Sequence, residues 1–468
     1  MRQGSPSSKN NHGIEQEIAR LEQLFEISSE KLKEVTRHFI EELQDGLASR
    51  DQNIPMNETW VQGFPSGKET GSFLTIDLGG TNIRICWITL TGQRGGHKIE
   101  QHSYQLPDEI KTGTADKLWD FIASSLQEFI KAQSLEGTKE KPLPLSFTFS
   151  YPLTQSSIDH GTLQTWTKGW DVKGVEGEDV GRQLGDALQA KSLPVKVIAI
   201  VNDTTGAMIA SAYNDPATII GAIFGTGCNA AYMEKLSRIP KLGGHSVAKH
   251  LPPDTPMAIN CEYGAFDNAL KVLPRTKYDE QIDDNSPRPG EQRFEKLSAG
   301  LYLGEIFRLV VLDLHGERGF FGPRDLASQT IARTPYALDT AVLSGLEDDR
   351  SASLSESRDR LKRDFGLDVD DNEMVCLQRL AVAIATRGAR LCACGVAAIC
   401  TMTGTKEGNV AADGSVANKH PKFKERWAQA LGEILEWKDG EQPIKMTSAE
   451  DGSGVGAAVI AAMTLAKR

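Results

Sequence analysis

The stretch Leu74-Thr75-Ile76-Asp77-Leu78-Gly79-Gly80-Thr81-Asn82 decides how this chain folds. Residues 73 to 76 are mostly apolar and read as a strand that Asp77 closes; Gly79 and Gly80 open a tight turn, and a second apolar strand begins near Ile83. Two adjacent glycines let backbone N–H groups approach an anion with no side chain in the way. Thr81 and Asn82 add side-chain hydrogen bonding, and Asp77 is placed to hold a metal through water. A plain hairpin uses the same Gly-Gly turn, so on its own the stretch leaves both readings open.

A second segment repeats the pattern. Residues 221 to 229, GAIFGTGCN, run an apolar strand into Gly225-Thr226-Gly227 and out into another strand-like stretch. Two strand–glycine turn–strand units, one in each half of the chain, imply two similar lobes gripping one polyphosphate. A P-loop would instead carry a single GxxxxGK[ST] before a helix, and no such motif is present; a dinucleotide fold needs its glycines to open a helix, whereas a strand follows Gly80.

Composition sets the outer limits. A chain of 468 residues buries a large core and divides into two domains. A formal charge of −11 argues against nucleic acid or an anionic membrane as the main partner. The polar opening MRQGSPSSKNNH has no signal-peptide core and reads, to residue 14, as a disordered tail. The weakly polar run 453 to 466 is too short and too rich in Gly and Ala to span a bilayer, so it reads as a buried helix. Seven cysteines lie mostly in apolar runs, as reduced thiols of a cytoplasmic protein do; Cys392, Cys394 and Cys400 lack a nearby histidine or a CxxC pair, which sets zinc aside.

Residues 14 to 49 carry apolar positions at helical spacing. From 73 to 201 strands and helices alternate, with a helix from about 116 to 132, a strand at 145 to 151, a helix near 178 to 190 and the buried strand 195 to 201: an α/β domain with a mixed sheet. The second half repeats this order with larger helical insertions, at 296 to 315, 372 to 403, 421 to 436 and 454 to 467, separated by polar linkers near 276 to 292 and 347 to 360.

Four further segments offer side chains at strand ends or loops, where α/β folds place their sites. They are Ser150 before a proline, Thr167 and Lys168 between two tryptophans, Asn202 and Asp203 after the strand 195 to 201, and Glu262 in INCEYG. Taken singly, each has an ordinary structural use as a cap, a surface turn or a solvated carboxylate. With Glu295 they supply amides, hydroxyls, carboxylates and a lysine together, a set suited to a polyol such as a hexose.

From about residue 15 to its end the chain resembles the eukaryotic hexokinases of the fungal type. The resemblance rests on FPSGKETG, LTIDLGGTN, FTFSYP, WTKGWD, VNDTTG, IFGTGCN, MAINCEYGAFDN, RPGEQRFEK, ADGSV and AEDGSGVGAA in combination. It implies an actin-like ATPase (ribonuclease H-like) fold of two lobes around a cleft, with a small domain of 68–202 plus the last helix from about 455. Residues 15–67 and 203–454 then form the large domain. It also implies ATP and Mg2+ as nucleotide and metal, a hexose as acceptor, and a monomer or homodimer. By similarity Asp77, Leu78, Gly79, Gly80, Thr81 and Asn82 form the first phosphate segment, Gly225, Thr226 and Gly227 the second, and Gly414 and Ser415 belong to a nucleotide-contacting turn. Ser150, Thr167, Lys168, Asn202, Asp203, Asn229, Glu262 and Glu295 match the family's sugar ligands, with Asp203 as catalytic base and Lys168 beside it stabilising charge on the transferring group.

The chain departs from that pattern at Gln101-His102-Ser103, where the family often has a lysine before Tyr-x-Leu-Pro, and at Ile83, His160 and Thr165, the last standing where arginine is frequent. The missing lysine bears on catalytic rate or ATP affinity. It keeps open a second reading, a weakly active or inactive sugar sensor on the same fold. An actin- or chaperone-type ATPase would share the phosphate cradle but leaves the polyol set unexplained.

Overall fold

The structure, a computed structural model, describes residues 6–79, 81–166, 170–318, 326 and 329–467. Strand β1 (Asn57–Gln62) precedes β2 (Thr70–Leu78), β3 (Asn82–Thr91), β4 (His97–Gln105) and β5 (Leu143–Phe149); a ribbon of β6 (Leu153–Ser157) and β7 (His160–Leu163) and then β8 (Val195–Val201) follow. The second half holds β9 (Thr218–Phe224), β10 (Cys228–Lys235), β11 (Pro256–Asn260), β12 (Gly408–Asp413) and β13 (Ile444–Ser448).

These strands make two large sheets, ordered β4-β3-β2-β5-β8 and β1-β11-β10-β9-β12-β13. In the first, β2, β3 and β4 form an antiparallel meander, and β5 and β8 add in parallel on the other side of β2. In the second, β9, β10 and β11 repeat the meander, and β12 and β13 repeat the parallel additions. Apart from the edge strand β1, the two sheets share strand order and direction, so the duplication expected from the glycine turns is present strand for strand. The edge strand β4 is polar and exposed, which discourages pairing with another chain.

The fifth strand of each sheet exports the helix that follows it. After β8, the helix Asp203–Asn214 packs chiefly on β9 and β10 of the other lobe; after β13, a π turn at Gly452–Gly456 leads into Ala457–Leu465, which packs on β2, β5 and β8. The two exchanged helices meet at glycines. A Cβ on Gly206 would lie 2.5 Å from the Gly452 carbonyl oxygen, and one on Gly452 or Gly456 would run into the backbone of residues 206 and 207.

Several helical expectations shift for identifiable reasons. The region 14–49 is two helices, Pro6–Phe25 and Ser29–Ala48, because Ser28 is extended and its hydroxyl accepts the Lys31 N–H as an N-cap. The first of these starts at Pro6, so the segment expected to be a tail up to residue 14 is helical from there. Ile18, Leu21 and Phe25 are buried, and Arg379 of the helix Asp371–Thr403 pairs with Glu15 and Glu22, which anchors the turns before them. The helix expected at 296–315 is likewise two, Arg293–Ser298 and Gly300–Arg318, with Ala299 extended between them. Both stretches expected to be linkers contain helices, Lys277–Asp284 with a Thr276/Asp279 capping box and Ser355–Phe365. Helix Asp371–Thr403 is long and apolar enough to cross a membrane, but most of that apolar window is buried, packed between Ser29–Ala48 and Phe423–Leu435.

The glycine crossing gives a direct test. Gly206→Ala forces a methyl into backbone and is expected to lower stability by about 1–3 kcal/mol. Gly185→Ala, in the helix Val180–Ala190 with nothing within 4 Å of the added carbon, is expected to be neutral or stabilising by up to about 1 kcal/mol. Thermal unfolding of the two variants checks this; equal midpoints would mean that the crossing tolerates a side chain.

Candidate active site

Between the lobes lies a cavity of about 230 Å³ lined by Asp77, Leu78, Gly79, Ser150, Tyr151, Asp203, Ile223, Asp413 and Ser453, among others. Its walls are strand ends. Leu78 closes β2, Ser150 follows β5, Asp203 follows β8 and Asp413 closes β12. The mixed sheets aim their carboxyl ends at one space, so residues 336 positions apart in sequence, Asp77 and Asp413, share it.

The two glycine turns expected to bind phosphate are built differently. In the first, the Gly79 N–H bonds the Asn82 carbonyl, and the Thr81 carbonyl accepts from Leu106, which closes the β2–β3 hairpin into a cup. In the second, the Gly225 and Thr226 carbonyls accept the N–H groups of Gly300 and Leu301, and the Gly227 carbonyl accepts from Gly225. With its carbonyls engaged in this way, a turn offers N–H groups to its surroundings, the polarity an anion requires. Gly414 (φ 110) packs on the backbone of Phe224 and Gly225, where any Cβ would clash, and Ser415 opens a short helix beside it.

Asp77 is the partly buried acid of the first turn. Burial pushes its carboxyl above the ordinary range and nearby Asp203 and Asp451 add to the rise, while Ser453 and Arg84 oppose it. Arg84 makes a two-pronged pair with Asp451, at 2.9 and 2.5 Å, and reaches to 3.9 Å from Asp77. Asp451 in turn caps the π turn through the Gly454 N–H.

The sugar-type ligands gather beside this end. Asn202 caps the helix that Asp203 opens, and the Asp203 carboxylate accepts the Thr204 N–H at 2.7 Å. The Asn229 side chain accepts the N–H of Glu262 at 2.9 Å and donates to the Thr204 hydroxyl, to Asn260 at 2.7 Å and to Glu262. Asn260 donates to the same Glu262 carboxylate at 2.7 Å. This network holds Glu262 in the left-handed region (φ 56, ψ 47), which a non-glycine residue occupies only at a cost. Glu295 lies over Gly227, its carboxylate accepting the Cys228 N–H at 3.2 Å. Gly80, Thr167 and Lys168 lie outside the described residues. Trp166 donates its indole N–H to the Val172 carbonyl, and its ring stacks on Trp170 at 5.3 Å.

Sequence reasoning missed Arg84, Tyr151, Asn260, Asp413, Asp451, Ser453 and Gln292. Asp413 and Asp451 lie inside ADGSV and AEDGSGVGAA, motifs already singled out without a role for these carboxylates. Gln292 (φ 53) lies in RPGEQRFEK, and the missing side chain of Gly264 leaves room for its amide oxygen. The cysteines are all free and buried, and among the described residues Cys392, Cys394 and Cys400 do not gather with metal ligands.

Comparison with known proteins agrees with this geometry. Two family models, both described as Hexokinase, match residues 17–213 and 219–463. The hexokinase of Emericella nidulans is 51% identical over 99% of this chain and 94% of its own length, and hexokinase-2 of Saccharomyces cerevisiae is 47% identical over 96% and 92%. Among solved structures, a Schistosoma mansoni hexokinase complexed with glucose superposes with a TM-score of 0.84 at 31% identity, covering 97% of this chain and 99% of that one. A further hexokinase structure gives 0.81 at 29%, with the same coverage. The architecture is therefore the two-lobed, actin-like sugar-kinase fold, and this chain belongs to the hexokinase family as a hexose kinase.

Proposed function

We propose that the chain transfers the γ-phosphoryl group of MgATP to the 6-hydroxyl of glucose or a related hexose, the entry step of hexose metabolism. The observation that carries this reading is that Asp203 and the Asp77–Gly79 turn line one cavity, so a base and a phosphate cradle face the same space.

Asp203 accepts the proton of the attacking hydroxyl, its carboxylate held by the Thr204 N–H so that one oxygen is oriented. Ser150, Asn202, Asn229, Glu262 and Glu295, with Thr167 and Lys168 by similarity, bind and orient the sugar. Gly414 and Ser415 lie where the nucleotide would meet the second lobe. The metal fits the donor set. Asp77, Asp203 and Asp413 line one cavity as hard oxygen donors, and the repulsion that Asp203 adds at Asp77 is of the kind a divalent cation relieves. Asp77 would hold Mg2+ through water, and the metal would supply charge neutralisation to the phosphates. The N–H groups of the second turn and the Arg84 guanidinium add positive charge at the two ends. Seven free, buried cysteines support a cytoplasmic setting, and the fold is compatible with a monomer or a homodimer. Ser103 pairs with Arg84 across β3 and β4, so one guanidinium already serves the face on which the family's lysine is missing, and the sensor reading gains nothing from this geometry.

Three measurements test the reading. Asp203→Asn should lower kcat by about 10²-fold or more while glucose still quenches tryptophan fluorescence, because the amide keeps hydrogen bonding but takes no proton; a variant within a few-fold of wild type excludes the base assignment. Protons and Mg2+ compete for Asp77, whose proton is held more tightly than usual, so the acid limb of kcat/KM for ATP should move to lower pH as Mg2+ is raised. A limb that stays in place would remove Asp77 from the metal's water shell. Ser103→Lys adds a second cation to the Arg84 face and should raise kcat/KM for ATP by no more than about fivefold, the worth of one exposed charge pair; sugar-dependent ADP formation that appears only in this variant would overturn the kinase reading in favour of the sensor.

A further inference from the structure

Residues 286–293 of the large lobe are bolted in place from behind. The buried Lys296 ammonium donates to Asp283 at 2.6 Å, to the Ser286 hydroxyl at 2.8 Å and to the Arg288 carbonyl at 2.9 Å. The Gly290 N–H reaches both Asp283 oxygens at 3.0 Å, and Arg293 pairs with the same carboxylate at 3.1 Å. The backbone at Arg288 is thus fixed to the helix Arg293–Ser298 that carries Glu295.

The Arg288 side chain leaves this platform and crosses to the other lobe. Its guanidinium donates to the Thr165 hydroxyl at 2.8 Å. Thr165 donates onward to Glu176 at 3.1 Å, and the same Glu176 oxygen accepts the Trp166 N–H at 2.6 Å. One chain of hydrogen bonds therefore joins the platform behind Glu295 to the residue that leads into Thr167 and Lys168.

We propose that Arg288 and Thr165 are positioning residues, a latch that holds the Thr165–Trp166 backbone of the small lobe against the helix of the large lobe that carries Glu295. Neither touches the reacting atoms. Arg288 is half-exposed, so a single bond of this kind adds little to folding. It exists only while the lobes are together, and its effect therefore falls on retention of the sugar and not on phosphoryl transfer. The inference rests on the hexose-kinase reading.

The test compares the full-length wild type with Arg288→Ala, Thr165→Val, Thr165→Ser and the Arg288→Ala/Thr165→Val double variant, by steady-state kinetics and thermal unfolding. Each of Arg288→Ala and Thr165→Val should raise the KM for glucose about three- to tenfold, with kcat within about twofold and the KM for ATP and the melting midpoint unchanged. The double variant should be no worse than the worse single one, since both remove the same bond, and Thr165→Ser, which keeps the hydroxyl, should behave as wild type. An unchanged glucose KM, a loss that appears in kcat, additive effects in the double variant, or Thr165→Ser failing as Thr165→Val does would each overturn the latch. Wild-type protein without glucose-dependent ADP formation would instead overturn the reading on which it rests.

Discussion

Gly206 lies against the backbone of Gly452 and Gly456 with no room for a methyl group, and this contact determines where chemistry can occur. Asp203 stands one turn before Gly206, and Asp451 and Ser453 flank Gly452. Bringing the backbones together brings the first turns of the two exchanged helices together, and with them two helix N-termini whose dipoles favour anions. The cavity lined by Asp203, Gly452 and Ser453 is therefore a by-product of helix exchange. Each lobe contributes its fifth strand and lends the following helix to its neighbour, so the cleft lies over a joint that belongs to both halves.

The sugar end depends on strained backbone held by side chains. Glu262 (φ 56), Asp267 (φ 50), Leu270 (φ 54) and Gln292 (φ 53) are all left-handed, and each costs on the order of 1 kcal/mol. The structure meets this cost locally. Asn229 holds the Glu262 N–H, and the buried Asp267 carboxylate accepts the N–H groups of Lys271, Val272 and Leu273 at 2.7–2.8 Å. Polar groups that look like solvated loop residues in sequence are the fasteners of the site. Asn229 is both a matched sugar ligand and the clamp on another, so its replacement would disturb two roles at once.

What was legible in the sequence follows from locality. The strand at 74–78, its glycine turn and the strand after it are consecutive in sequence and in space, and the repeat at 221–229 has the same property. Asp203 was visible because it follows an apolar strand directly after Asn202. Helix exchange was not visible: Ala457–Leu465 shows only that it is apolar on all sides, and nothing in its composition says which sheet it covers. Arg84 reads as an ordinary β3 residue until Asp451, 367 positions away, is placed beside it. The break at Ala299 was equally hidden, because Phe294 to Leu314 is periodic enough for one helix and the cause of the interruption is a pair of carbonyls on a distant turn.

That interruption ties the two ends of the site together. Gly300 and Leu301 spend their N–H groups on the Gly225 and Thr226 carbonyls, and the helix just before them carries Glu295, whose carboxylate accepts from Cys228 at the end of the same turn. The second glycine turn and the Glu295 carboxylate thus share one short piece of backbone, and Gly227 permits the contact because any side chain there would occupy the position of the carboxylate oxygen. On the proposed reading, a sugar hydroxyl that drew Glu295 toward it would pull on this turn, and a phosphate that fixed the turn would fix the carboxylate. In an arrangement of this kind occupancy of one end lowers the cost of ordering the other. Water in place of the sugar makes no demand on Glu295, and so leaves the turn without that constraint.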